Sequence, residues 1–267
     1  MSFQVTQLFI YPIKGLGGIS ATSSFAYNIG FAHDRRFMLI DRNNQFITQR
    51  QLATLAKFKT NIVDNQIIVN FNGDVAHIPL HQNTGEEIHS KVFDDTAITL
   101  AVDPVIDQWF SHCLDQKVRL VRLKDDNSRM HISSQNNKKY AVSLADGYPY
   151  LLVGQASLEY LNQKLDQSIG VNRFRPNIVV ASQYPHEEDK WNTITIGDAT
   201  FQNIKPCGRC QVITINQETA IGGSEPLKTL SQYRKVGNSV FFGINLVCLQ
   251  TGLIHVGDTL NFNSDKI

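Results

Sequence analysis

The densest group of reactive side chains in the sequence is Lys205-Pro206-Cys207-Gly208-Arg209-Cys210. Two cysteines with two residues between them admit several chemistries. They could be half of a zinc site, which needs four ligands, but Cys113 and Cys248 are isolated and no histidine pair has finger-like spacing. They could be a redox dithiol, which lowers a thiol pKa by opening a helix. The residues that follow, Gln-Val-Ile-Thr-Ile, instead predict a strand over 211–215. They could supply one thiolate, set among the cations of Lys205 and Arg209, that ligates a soft metal centre or attacks a substrate. They could also be two buried thiols beside a turn. Spacing alone leaves these readings open.

Three further segments carry cations where strands are expected to end. In Asn172-Arg173-Phe174-Arg175-Pro176-Asn177, an arginine before proline is expected to be extended, and its fork of donors suits phosphate or carboxylate. In Tyr11-Pro12-Ile13-Lys14-Gly15, a strand closes on a lysine and a glycine-rich turn, where backbone can approach an anion closely. Asp34-Arg35-Arg36-Phe37 and Thr48-Gln49-Arg50 flank an expected hairpin, for which a salt-bridged strand end is the simpler reading in isolation. Lys14, Arg35, Arg50 and Arg175 thus all fall at strand ends, and Arg209 lies beside the cysteines. If they converge, they make an anion site next to a thiolate.

The elements that must position them are mostly strands. Short β-branched or aromatic runs at 5–11, 37–41, 61–70 and 98–102 are separated by turn formers, and Asn43-Asn44 predicts a hairpin turn. Two helices are expected. Residues 103–114 begin with a capping Asp103 and with Pro104 at the first helical position, and 156–165 place Leu158, Leu161 and Leu165 at helical spacing. Strands return at 178–181, 193–196, 240–247 and 260–262. The polar stretch 124–139 is expected to be a domain boundary or a loop over a site. The pattern predicts a mainly β chain with a few helices, divided at 1–123 and 124–267.

Composition excludes several classes. The 267 residues carry 25 Lys and Arg against 24 Asp and Glu, a formal charge of +1, which leaves no bulk positive field for nucleic acid or a membrane surface. No apolar run approaches the ~20 residues of a membrane span, and no secretory signal opens the chain. Four cysteines in a chain this long fit a reducing compartment, so a cytoplasmic location is expected.

In their order, Tyr11-Pro12-Ile13-Lys14, Asp34-Arg35-Arg36-Phe37, Thr48-Gln49-Arg50, Asn172-x-Phe174-Arg175-Pro176-Asn177, Ile196-Gly197-Asp198 and Cys207-Gly208-Arg209-Cys210 resemble the MOSC proteins. The branch they resemble most contains the amidoxime-reducing components and the YcbX-type enzymes. The resemblance runs over about 5–262. It implies an N-terminal β-rich MOSC-associated domain packed on a C-terminal MOSC β-barrel, with a molybdenum cofactor (Mo-molybdopterin) held between them. It implies Cys210 as both the molybdenum ligand and the catalytic centre. Lys14, Arg35 and Arg175 are implied to hold the pterin phosphate and polar edges, with Gly15, Asn177, Gly208 and Arg209 close by. Asp146, Gly147 and Tyr148 match another cofactor-contacting loop, and Thr48 and Arg50 complete the set.

The activity so implied is reductive removal of an N–O oxygen from small N-hydroxylated substrates: amidoximes, hydroxylamines or N-hydroxylated bases. His131, Asp146 and Tyr148 are candidate proton donors. With no fused iron–sulfur domain or membrane anchor visible in the chain, electrons are expected from a separate ferredoxin-, flavodoxin- or reductase-like protein. The alternatives are a non-catalytic cofactor carrier and a sulfur carrier with a persulfide on Cys207 or Cys210.

Overall fold

The computed structural model describes residues 3–125 and 129–263. The fold is mainly β, as expected, with three α-helices among the described residues. Its largest sheet runs in the order Leu260–Asn263, Thr193–Ile196, Ala199–Arg209, Ser239–Gln250, Tyr150–Gly154, Ile178–Val180, Val5–Ile10 and Ile19–Ala21, and Lys235–Val236 pairs with Ser239–Gln250 off this path. The alternation of the strands buries Leu8, Leu152, Ile178, Ile194, Phe201 and Ile244 on one face, where they form a core with Trp191.

The first strand of the chain therefore belongs to a sheet otherwise built from later residues. Val5–Ile10 pairs antiparallel with Ile178–Val180, and Ser23–Tyr27 pairs with Gly252–His255. A second, five-stranded sheet holds Glu87–Val92, Asp95–Ala101, Arg119–Leu123, Phe37–Ile40 and Ile13–Lys14. The last pair is parallel and places Lys14 opposite Met38. The helix Pro104–Leu114 packs on this sheet with Phe110 buried, and the Asp103 side chain caps it by accepting the Val105 N–H. No helix among the described residues is long and apolar enough to cross a membrane.

Several local expectations change. The run 61–70 is two strands, Lys59–Val63 and Gln66–Phe71, joined at Asp64-Asn65. Both turn residues have positive φ, 49° and 62°, the backbone of a two-residue hairpin turn. Asn43-Asn44 does turn, held by the Asp41 carboxylate accepting the Asn43 and Gln45 N–H groups, but only an isolated bridge between Ile40 and Phe46 follows it. The expected strand 211–215 is a 3-10 helix, Gln211–Thr214. Its β-branched residues are recruited by tertiary packing instead, since Ile213 is buried beside Phe174 and Phe242. The stretch 124–139 contains the strand Arg129–Ile132, which pairs with Lys139–Val142; residues 126–128 lie outside the described residues. The helix near 156–165 is Gln155–Asn162, with Ser157 in its first turn. The Ser157 hydroxyl donates to the buried Glu188 carboxylate.

Trp191 is 1% exposed, stacked on Phe262 at 4.8 Å and edge-on to Phe3 at 5.5 Å. Replacing it by Ala leaves a void that no neighbouring element can fill without breaking sheet pairing. Trp191→Ala is expected to cost about 3–5 kcal/mol, read as a lower urea midpoint with unchanged slope.

Candidate functional site

Loops and strand ends from both halves of the chain meet around one cleft of about 430 Å³. Every site residue nominated from the sequence lines it: Lys14, Gly15, Arg35, Thr48 and Arg50 from the first half, and Asp146, Gly147, Tyr148, Arg175, Asn177, Gly208, Arg209 and Cys210 from the second. Among the described residues six cations face this space, counting Lys205, and Asp146 is the one carboxylate that lines it.

Arg35 and Arg175 are ordered by the same neighbours. The Arg35 guanidinium donates to Asp34 Oδ2 at 2.6 Å, to Asn177 Oδ1 at 3.0 Å and to the Arg175 carbonyl at 3.2 Å. Both guanidinium carbons lie over the ring of Tyr11, at 4.2 Å for Arg35 and 4.3 Å for Arg175, within the range of a cation–π contact. Tyr11 is buried and its hydroxyl has no hydrogen-bond partner, and burial pushes that hydroxyl up to about 12. The ring is thus used for its face. Gly18 accommodates it, because a Cβ there would fall 2.4 Å from a ring carbon.

The expectation that Arg175 is extended does not hold. Its φ is +55°, an uncommon conformation for a residue with a side chain. Its N–H donates to the Asn172 carbonyl at 3.2 Å, closing a turn, while its own carbonyl is taken by Arg35. Tertiary hydrogen bonds here override the preference set by the following proline. Burial pulls the Arg175 guanidinium down to about 10, with the charge of Arg35 acting in the same direction. Asn177 is 1% exposed. Its amide bonds Arg35, the Leu151 N–H and the Phe9 carbonyl, so it acts on the cleft by fixing Arg35.

On the opposite wall, Lys14 is 7% exposed. Its ammonium donates to the Leu144 carbonyl at 2.8 Å and to the Asp146 carboxylate. Burial pulls Lys14 down to about 8, against the opposing pull of Asp146. Desolvation by the cleft walls pushes the Asp146 carboxyl up, but Lys14, with Arg50 and Arg35 beyond it, outweighs this and holds it at about 2. Arg129 fixes the same loop by donating to the carbonyls of Ala145 and Asp146.

The two thiols differ. Cys207 lies in the strand Ala199–Arg209, half-buried, with its sulfur 3.0 Å from Arg209 Nη1. Cys210 is exposed, at the start of the 3-10 helix. Its sulfur is 3.7 Å from Arg50 Nη1, so a residue from the first half of the chain meets one from the second. All four cysteines are free. Among the described residues no group of three or more His, Cys, Asp and Glu side chains gathers into a metal site. One 3-10 turn is not the long helix of a redox dithiol, and a strand does not follow the cysteines either.

Some structural partners of the site escape sequence reasoning. Gln49 and Gln217, 2% and 8% exposed, exchange amide hydrogen bonds at 3.1 and 2.9 Å. Gln49 also donates to the Gly15 carbonyl at 2.7 Å. This pair joins the loop carrying Thr48 and Arg50 to the segment that follows Cys210. Only the place of Gln49 between two nominated residues could have pointed to it.

Comparison with known proteins matches the MOSC N-terminal beta barrel domain over residues 2–117 and the MOSC domain over 139–261. The chain is 29% identical to mitochondrial amidoxime reducing component 2 of Bos taurus, over 95% of this chain and 81% of that protein. It is 29% identical to mitochondrial amidoxime-reducing component 1 of Mus musculus, over 95% and 80%. It is 26% identical to molybdenum cofactor sulfurase of Arabidopsis thaliana over 91% of this chain, but spans only 32% of that relative's length. Among solved structures, the YUAD protein from Bacillus subtilis aligns over 100% of this chain and 98% of its own, at 10% identity and a TM-score of 0.46.

The Lys14–Asp146 contact carries a test. An opposite charge at hydrogen-bond distance favours the ammonium, so removing it leaves desolvation unopposed. In Asp146→Asn, Lys14 is expected to titrate below the wild-type value of about 8, measured by NMR on the lysine ammonium and side-chain carbon signals. An unchanged or higher value would mean the pair does not form.

Proposed function

The chain belongs to the MOSC family, with a MOSC N-terminal beta barrel domain ahead of a MOSC domain, and from this we propose that it binds a molybdenum cofactor in the interdomain cleft and reduces small N-hydroxylated molecules. The observation that carries the reading is the charge of the cleft. Lys14, Arg35, Arg50, Arg175, Lys205 and Arg209 line a space in which, among the described residues, Asp146 and Asp34 are the only carboxylates bonded to any of them. Like charges withdrawn from water, as Lys14 is almost wholly and Arg35 and Arg175 are in part, are costly unless something negative joins them. In a chain of net charge +1, such a concentration suits a phosphorylated, anionic ligand. The Arg209 Nε, buried without a partner, is a further donor for it.

The roles follow from reach. Lys14, Arg35 and Arg175 would hold the phosphate, the last two as planar forks suited to it. Gly15 and Gly208 would let backbone come close to the ligand. Arg209, Asp146, Gly147 and Tyr148 would meet its polar edges, and Thr48 and Arg50 would close the side shared with Cys210. Cys210, exposed and 3.7 Å from Arg50, would be the ligand, since thiolate suits a soft metal. When bound, the cofactor supplies the two-electron redox centre that the protein's own side chains lack. Two electrons per turnover would reach it from a separate donor protein. The relatives named amidoxime-reducing components support the substrate class.

The relatives named molybdenum cofactor sulfurase favour a second reading, in which the domain handles the cofactor or its sulfur and Cys207 or Cys210 carries a persulfide.

Metal analysis of protein made in cells that synthesise the cofactor tests the first reading. Near-stoichiometric molybdenum is expected in the wild type, with nearly complete loss in Cys210→Ser and a milder effect in Cys207→Ser. Loaded wild type should convert benzamidoxime to benzamidine with a chemical electron donor. No molybdenum in a folded wild type, together with cyanide-labile sulfur on a cysteine, would replace this reading with the second.

A further inference from the structure

The proposed reduction needs protons as well as electrons: R–NHOH + 2 e⁻ + 2 H⁺ gives R–NH₂ + H₂O. The N–O bond breaks, nitrogen is reduced, and the leaving oxygen departs as water only if an acid supplies it with a proton. Several acids line the cleft, and the structure separates them. Asp146 is an ion held by Lys14 and has no proton to give near neutrality. The Lys14 ammonium donates to Leu144 and Asp146 and is almost closed to solvent. The Tyr148 hydroxyl donates to Ser133 Oγ at 2.8 Å, and burial raises it further.

His131 differs in every respect. Along Arg129–Ile132 the strand alternation turns Arg129 and His131 inward and leaves Met130 and Ile132 outside, 48% and 52% exposed. His131 Nδ1 lies 3.5 Å from Asp95 Oδ2, and Arg129 Nη1 binds the same carboxylate oxygen. The other ring nitrogen, Nε2, faces Gly147, where a Cβ would come within 3.2 Å of it. A glycine at this position of the cleft wall is what lets the imidazole edge approach. The side chain is 25% exposed, so solvent can return a proton. With a carboxylate beside one ring nitrogen and the other at the Gly147 wall of the cleft, the ring is placed as an oriented general acid is.

We propose that His131, oriented by Asp95, is the general acid of this cleft, giving its Nε2 proton to the oxygen that leaves the substrate nitrogen. The inference rests on the reductive reading above. After transfer, the neutral ring keeps its Nδ1 proton toward Asp95, and solvent restores Nε2–H. The charged and titratable groups around it are Asp95 on the neighbouring strand and Arg129 on its own. Tyr140 stands opposite it in register, Tyr148 lies edge-on at 5.3 Å, Asp146 precedes Gly147, and Lys205 sits over the Tyr148 ring.

The test has two arms. In protein without cofactor, ¹⁵N NMR at a pH where His131 is neutral should show the Nδ1–H tautomer, and Asp95→Asn should shift it toward Nε2–H. In the molybdenum-loaded enzyme with benzamidoxime, His131→Gln should lower kcat about 100-fold, with KM and molybdenum content little changed and with partial recovery in added imidazole. A wild-type Nε2–H tautomer, or His131→Gln turning over within twofold of wild type at equal molybdenum, would overturn the proposal. Failure of the parent reading looks different: loaded wild type itself would leave benzamidoxime untouched.

Discussion

A fully buried carboxylate, Asp34, sets the geometry on which the cleft depends. It is 0% exposed, and an ion so placed persists only if its lone pairs are answered. Two groups answer it: the Tyr11 backbone N–H at 2.8 Å and the Arg35 guanidinium at 2.6 Å. The first fixes where the strand Val5–Ile10 ends and therefore where the Tyr11 ring lies. The second fixes Arg35 over that ring, and Arg35 in turn takes the carbonyl of Arg175. Two like charges are thus brought against one aromatic ring, with a fixed negative partner bonded to the first of them. Loss of Asp34 would therefore disturb two arginines of the cleft, although it touches only one of them.

The same economy explains why the two halves share sheets. Lys14, Arg35 and Arg50 come from the first half, and Asp146, Arg175 and Cys210 from the second. Their separations are of hydrogen-bond scale, which a hinged pair of domains would not hold. The insertion of Val5–Ile10 beside Ile178–Val180 makes the arrangement part of a continuous ladder. The Gln49–Gln217 amide pair then joins the far side, buried and doubly bonded. The nearby Lys59–Glu218 bridge at 2.6 Å is exposed on both sides and contributes much less.

What could be read from the sequence follows from the range of the interaction. Cations at the edges of runs were legible, because Lys14 and Arg50 follow β-branched or aromatic runs and Arg35 and Arg175 precede them. The helix Pro104–Leu114 was legible because Asp103 and Pro104 act within one turn. The hairpin at Asp64-Asn65 was not separated from its strands, since Asp and Asn in left-handed backbone do not interrupt the apolar pattern. The left-handed Arg175 and the 3-10 turn after Cys210 both oppose local preference. Each is decided by partners far along the chain, Arg35 in one case and the Phe174–Phe242 cluster in the other. Gln49 and Gln217, 168 positions apart, carry no local signal at all.

The electrostatics of the cleft favour an anionic ligand. Lys14 at about 8 and Arg175 at about 10 both lie below their ordinary values, mainly through burial and in part through neighbouring cations. For Lys14 the sign is clear: between about 8 and 10.5 the unfolded chain holds a proton that the folded chain has shed, so stability rises with pH across that window. A fold that keeps its lysine under such pressure is suboptimal by itself. An anion placed among Lys14, Arg35 and Arg175 favours every charged form at once, raising the depressed groups toward their ordinary values and stabilising the native state by mass action. Asp146 is engaged by Lys14 and Asp34 by Arg35, so among the described residues no carboxylate is bonded to Arg50, Arg175, Lys205 or Arg209. The arrangement is coherent when a multiply charged anion, as proposed above, lies between the two halves, with the exposed sulfur of Cys210 at its border.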